Sequence, residues 1–155
     1  MAHDNMTQPV SYKTVMIATD GSRHSMRALQ HAVGIALAFD GQIVLVHVVG
    51  DDTSTAFELD DDGLVPQSLE SRLAQGQRIL DDAVKEVPEA LRSSCQLHLK
   101  QGTPSSAILE LSDETGADLL VLGGRGLSGF RRYLLGSVSY AVSRRSAKPV
   151  LIIQE

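Results

Sequence analysis

Apolar residues along the chain fall into two kinds of pattern. Val15-Met16-Ile17-Ala18 and Leu119 to Leu122 are short unbroken runs, and Ile43 to Val49 is a third, interrupted only by His47. Runs of that length with no polar alternation mark strands buried on both faces. Between the first two, Met26, Leu29, Ala32, Val33, Ala36 and Leu37 recur at spacings of three and four, with Arg23, Arg27, Gln30 and His31 opposite them. That is the pattern of an amphipathic helix. A second helix is predicted from Pro66, through Leu69, Leu73, Ile79, Leu80, Ala83 and Val84, with Pro88 as its stop. A third carries Ile108, Leu109 and Leu111. Cys95 to Lys100 alternates instead, which suits a strand with one wetter face at a sheet edge. Pro149 to Ile153 reads as a last strand.

The punctuation agrees with this division. Thr19-Asp20-Gly21-Ser22 is a turn ending in a helix-capping serine, and Asp40-Gly41 closes the helix that follows. Thr103 caps the third helix with Pro104 at its first position, and Gly116 ends it. A final helix is predicted from Gly136-Ser137. Strands alternating with helices give an α/β fold: a doubly wound five-stranded parallel sheet with helices on both faces. One domain over 1–155 is expected, with a flexible N-terminal tail at 1–11 and a mobile acidic loop at 50–65. Ligands of such sheets collect beyond the carboxyl ends of the strands, where the strand order reverses. The candidate turns therefore follow the first, second and fourth predicted strands.

Composition narrows the function. The 155 residues are 43% hydrophobic but only 4% aromatic, so the core is aliphatic. A formal net charge of -5 argues against broad nucleic-acid binding, which draws its affinity from basic surface. The lone Cys95 has no partner for an internal disulfide and reads as a small buried hydrophobe on its strand, in a reducing compartment. No apolar stretch approaches the roughly 20 residues of a membrane helix, and Met1 to Lys13 is polar, unlike a secretory leader. A cytoplasmic protein that touches no membrane is expected.

The chemistry concentrates after the fourth strand, where Gly123, Gly126 and Gly136 stand with two and then nine residues between them and Ser137 follows. Glycine lets backbone approach a ligand, and a helix starting at Gly136 aims free N–H groups and the positive dipole end at it. With the Ser137 hydroxyl, such a turn can cradle a polyphosphate without a lysine. Arg125, Arg131 and Arg132 add to it or face solvent. Gly124-x-Gly126-x-x-Gly129 matches the dinucleotide fingerprint in letters, but that fingerprint belongs after a first strand. His24 and His31 lie seven apart on a helix, about 10 Å along its axis, too far to share a metal. No metal site and no catalytic group stands out.

These residues resemble the universal stress protein family of the ATP-binding type. The resemblance runs from about Tyr12 to the end and includes Ala18-Thr19-Asp20-Gly21-Ser22, Val46-His47-Val48, Gly102-Thr103-Pro104, Gly123-x2-Gly126-x9-Gly136-Ser137 and Lys148 to Ile153. It implies an adenine nucleotide alpha-hydrolase-like (Rossmann-like) fold and a site for ATP, with or without Mg2+. Asp20 and Val48 would hold the adenosine end. Gly126, Gly136, Ser137 and Val138 would hold the phosphates, with Gly123, Gly124 and Arg125 lining the site. Asp20 also reads as a simple turn-forming aspartate. The resemblance further implies a homodimer paired through Val150 to Gln154, a protein partner of unknown identity, and nucleotide occupancy acting on that partner's surface. Catalysis is expected to be absent or limited to slow ATP hydrolysis or autophosphorylation, with Ser137 or Ser139 as modification points.

Three other readings compete. An ATP-splitting enzyme of the alpha-hydrolase group would carry Ser-Gly-Gly-x-Asp-Ser or His-x-Gly-His loops, and the turn at Thr19 to Ser22 supplies neither. A phosphoreceiver domain needs an aspartate after the third strand, where this chain has Lys100-Gln101-Gly102-Thr103. A dimeric stress protein that binds no nucleotide would use the glycines for chain geometry alone.

Overall fold

The computed structural model describes residues 8–51, 57–124 and 135–154. The elements run β1 (Thr14–Ala18), α1 (Arg23–Ala38), β2 (Gln42–Val49), β3 (Phe57–Asp60), β4 (Gly63–Pro66) and α2 (Leu69–Lys85), then α3 (Glu89–Arg92), β5 (Gln96–Gln101), α4 (Pro104–Glu114), β6 (Leu119–Gly123), α5 (Ser137–Arg145) and β7 (Val150–Ile153). Five strands form a parallel sheet in the order β5-β2-β1-β6-β7. The chain moves outward from β1 to β2 and β5, then returns to β1's other side for β6 and β7. The strand order therefore reverses at β1, between β2 and β6.

Both faces of the sheet are covered, as the continuous apolar strands require. Val15, Ile17, Ile43, Leu45 and Val121 pack with α1 and α2 residues such as Leu29 and Leu80. On the other face Met16, Val44, Val46 and Leu120 meet Ile108, Leu111 and Val142 from α4 and α5. The start of β1 is tied to β6 by one carboxylate: Asp118 Oδ2 accepts the Lys13 and Thr14 amides at 2.9 and 2.8 Å. Ser22 caps α1 through its hydroxyl and Pro104 opens α4, as expected, while Thr103 takes the α4 N-cap position without a side-chain hydrogen bond.

Four local details differ from what the sequence predicts. The stretch read as an irregular acidic loop contains the antiparallel β3–β4 hairpin, turned at Asp61-Asp62 with Gly63 at φ +118°. Its strands are four residues each, too short for alternation to stand out among five aspartates. The helix predicted from Pro66 starts at Leu69, because β4 runs through Pro66 and Ser68 supplies the cap. The one-turn α3 was not expected, since a single turn shows no periodicity. Cys95 lies just before β5 rather than on it, half-buried against the α1–α2 core, and burial pushes its thiol pKa up.

Gly34 sits exposed inside α1, and a Cβ there would meet nothing within 4 Å. Gly34→Ala should therefore stabilise the protein by about 0.5–1 kcal/mol. A rise in melting temperature of about 1–4 °C in calorimetry would check it.

Candidate functional site

At the reversal point three strand ends surround one cleft. β1 gives way to Thr19-Asp20-Gly21-Ser22, a turn that hydrogen-bonds to itself. Asp20 Oδ1 accepts the Ser22 amide at 2.9 Å, and Thr19 Oγ1 accepts the Gly21 amide at 3.2 Å and lies 3.0 Å from Ser25 Oγ. β2 is fixed beside it, because His47 Nδ1 lies 2.7 Å from the Thr19 carbonyl oxygen. A carbonyl only accepts, so the imidazole proton sits on Nδ1.

β6 is stitched to the start of α5. Ser139 Oγ donates to the Gly123 carbonyl at 2.6 Å, and the Gly136 amide donates to the Gly124 carbonyl at 2.7 Å. The Gly124 amide in turn reaches the Ile153 carbonyl at 2.8 Å. Gly136 is the N-cap of α5 and offers no side chain, so no side chain among the described residues caps the first-turn N–H groups. A helix leaves those groups without internal acceptors.

The cleft bounded by these ends holds about 210 Å³. Its apolar wall is Val46, Val48, Pro104 and Ile108; its polar wall is Asp20, Gly136 and Ser137. An apolar slot with a free helix N-terminus at one end suits a ligand with a flat apolar part and an anionic part.

The chain matches the family model described as "Universal stress protein family" over residues 11–154. The chain belongs to the universal stress protein family. It is 34% identical to a universal stress protein of Methanocaldococcus jannaschii over 144 residues, which cover 93% of this chain and 83% of that one. A universal stress protein solved in complex with cAMP superposes with a TM-score of 0.68 at 32% identity, covering 94% of this chain and 98% of the other. The universal stress protein UspA of Lactobacillus plantarum shares the fold at a TM-score of 0.75 and 18% identity, covering 94% and 100%. The architecture is the adenine nucleotide alpha-hydrolase-like fold of these proteins.

In this universal stress protein, Asp20, Val48, Gly123, Gly136, Ser137 and Val138 border the same cleft. Gly124 stands behind them as the acceptor for Gly136. Arg125 and Gly126 lie outside the described residues, as do Gly129, Arg131 and Arg132. The turn-forming reading of Asp20 holds for Oδ1, while Oδ2 accepts no hydrogen bond among the described residues. Gly123 has a packing reason of its own: a Cβ would stand 2.9 Å from the His24 carbonyl carbon and 3.0 Å from the Ser25 nitrogen. Ser139 is buried with its hydroxyl engaged on Gly123, whereas Ser137 is exposed. Of the two modification points expected, only Ser137 is accessible.

The sequence reading left out His47, Pro104, Ile108 and Ser139 as site residues. His47 enters the sequence reading only within the Val46-His47-Val48 stretch, and its bond reaches the turn after β1, 28 residues away. Ile108 was identified as an inward-facing helix residue, and nothing in its spacing shows that its surroundings open into a cleft.

Proposed function

We propose that the protein binds an adenine nucleotide, ATP first among them, in this cleft, and that occupancy alters a surface read by a protein partner, with little or no catalysis. The observation that carries the reading is the uncapped start of α5 at the end of an apolar slot. The base lies between Val48 and Ile108, and Asp20 Oδ2 faces the ribose, where a carboxylate avoids the phosphates. The phosphates lie at the α5 N-terminus against Gly136, Ser137 and the Val138 amide, with Gly126 and Arg125 completing the cradle and Mg2+ accompanying the phosphates. Gly123 and Gly124 line the site. The relative solved with cAMP, at 32% identity, supports an adenine nucleotide.

Magnitudes are sufficient. A hydrogen bond to a charged group contributes about 1.5–3 kcal/mol. Three or four together reach the ~8 kcal/mol of micromolar affinity before ordering costs.

The protein acts in the cytoplasm as a homodimer joined through Val150 to Gln154. None of the described helices is long and apolar enough to cross a membrane. β7 is an outer strand whose Val150, Leu151 and Ile152 are only half-buried, an edge that a second copy would cover. The contrary reading, a dimeric stress protein without nucleotide, draws on the packing reason for Gly123.

Calorimetric titration of nucleotide-stripped protein with Mg-ATP decides between them, run beside a Gly126→Val, Gly136→Val double variant. Micromolar binding by the parent, lost in a still-folded variant, is expected. A well-folded parent that binds no ATP, ADP, AMP or cAMP would overturn the nucleotide reading.

A further inference from the structure

One side chain at the ligand end of the sheet is placed against its own stability. Arg72 stands one turn before Gly76 on the stripe of α2 (Gly76, Leu80, Ala83) that faces the sheet. Gly76 lets the helix lie close, because a Cβ there would come within 2.7 Å of Leu99, 2.8 Å of His47 and 3.2 Å of Val49. That approach presses the Arg72 guanidinium over the end of β2. Its Nη1 donates to the Gly50 carbonyl at 2.7 Å, while its Nε is buried with no acceptor among the described residues. None of the ion pairs among the described residues involves Arg72.

A buried charged donor without a partner destabilises a fold, and an unbranched apolar side chain of similar length would pack there without that cost. What the guanidinium alone supplies is the bond to Gly50, two residues after Val48 in the cleft wall. β2 is thus gripped on both sides of Val48, by His47 on Thr19 and by Arg72 on Gly50. We infer that Arg72 is a positioning residue for the nucleotide cleft: it fixes the backbone that follows β2, and with it the edge that Val48 presents to the base. This inference rests on the nucleotide reading above.

Arg72→Met keeps the stem and removes the donors; Arg72→Lys keeps one donor for the Gly50 carbonyl. Arg72→Met should melt no lower than the parent, bind Mg-ATP about tenfold more weakly, as loss of one charge-assisted bond at the site would give, and bind inorganic tripolyphosphate as the parent does. Amide exchange should quicken at Val49 to Asp51 and not in β1, and Arg72→Lys should recover most of the affinity. Should Arg72→Met bind ATP as tightly as the parent, the positioning role is wrong and the nucleotide reading stands. Parallel loss of ATP, tripolyphosphate and thermal stability would make Arg72 merely structural. A parent that binds no nucleotide brings down both.

Discussion

Gly123→Ala should cost about 2–3 kcal/mol of stability and lower the melting temperature by roughly 4–12 °C. The added methyl would sit 2.9 Å from the His24 carbonyl carbon and 3.0 Å from the Ser25 nitrogen, and both are backbone atoms of the first turn of α1. No rotamer change relieves that contact, so α1 must slide or β6 must bend. Either shift disturbs the Ser22 cap and the Thr19–Ser25 contact that shape the neighbouring turn. Gly50→Ala is the matched control, because a Cβ there meets nothing within 4 Å. Thermal melts of the two variants measure the difference, and equal melting temperatures would mean that α1 is not seated on β6 as described.

Ser137→Asp should separate stability from binding. A carboxylate in the first turn of α5 complements the helix dipole and adds about 0.3–1 kcal/mol. The same charge opposes a phosphate placed at those N–H groups. Two unit charges ~4 Å apart near a protein surface repel by about 4 kcal/mol, and solvent exposure reduces that. An affinity loss on the order of 100-fold for ATP is expected, with the melting temperature held or raised. Adenosine, which carries no phosphate, should bind the variant and the parent alike. Calorimetry with both ligands checks this; undiminished ATP affinity would place the phosphates elsewhere.

Much of the fold was legible because its signals are local. Val15 to Ala18, Leu119 to Leu122 and, apart from His47, Ile43 to Val49 are apolar runs, and each is a central strand of the parallel sheet. Cys95 to Lys100 alternates, and β5 lies at the edge. The hairpin at 57–66 escaped because its strands are four residues each and one ends in Pro66, while the turn is Asp61-Asp62 rather than an Asn-Gly or Asp-Gly pair. The cleft was legible as a place, from the glycines after β6 and the turn after β1. Its reasons were not. That Gly123 makes room for α1 depends on His24, 99 residues away in sequence. That His47 grips Thr19 depends on how β2 lies beside β1, and that Arg72 grips Gly50 on how α2 lies across β2, which no spacing reveals.

The position of β1 between β2 and β6 has a consequence while the chain is being made. β1 and β2 can pair as soon as Val49 has left the ribosome, but β6, the neighbour on β1's other side, begins only at Leu119. At about 5–20 residues per second, roughly 4–14 s of synthesis separate the two events. Through that interval Val15, Met16 and Ile17, later wholly buried, border an unpaired strand edge on a half-built sheet. Such an edge invites pairing with other nascent chains. Slow translation lengthens the time for which that edge stays open, and β6 must reach it before a neighbouring chain does.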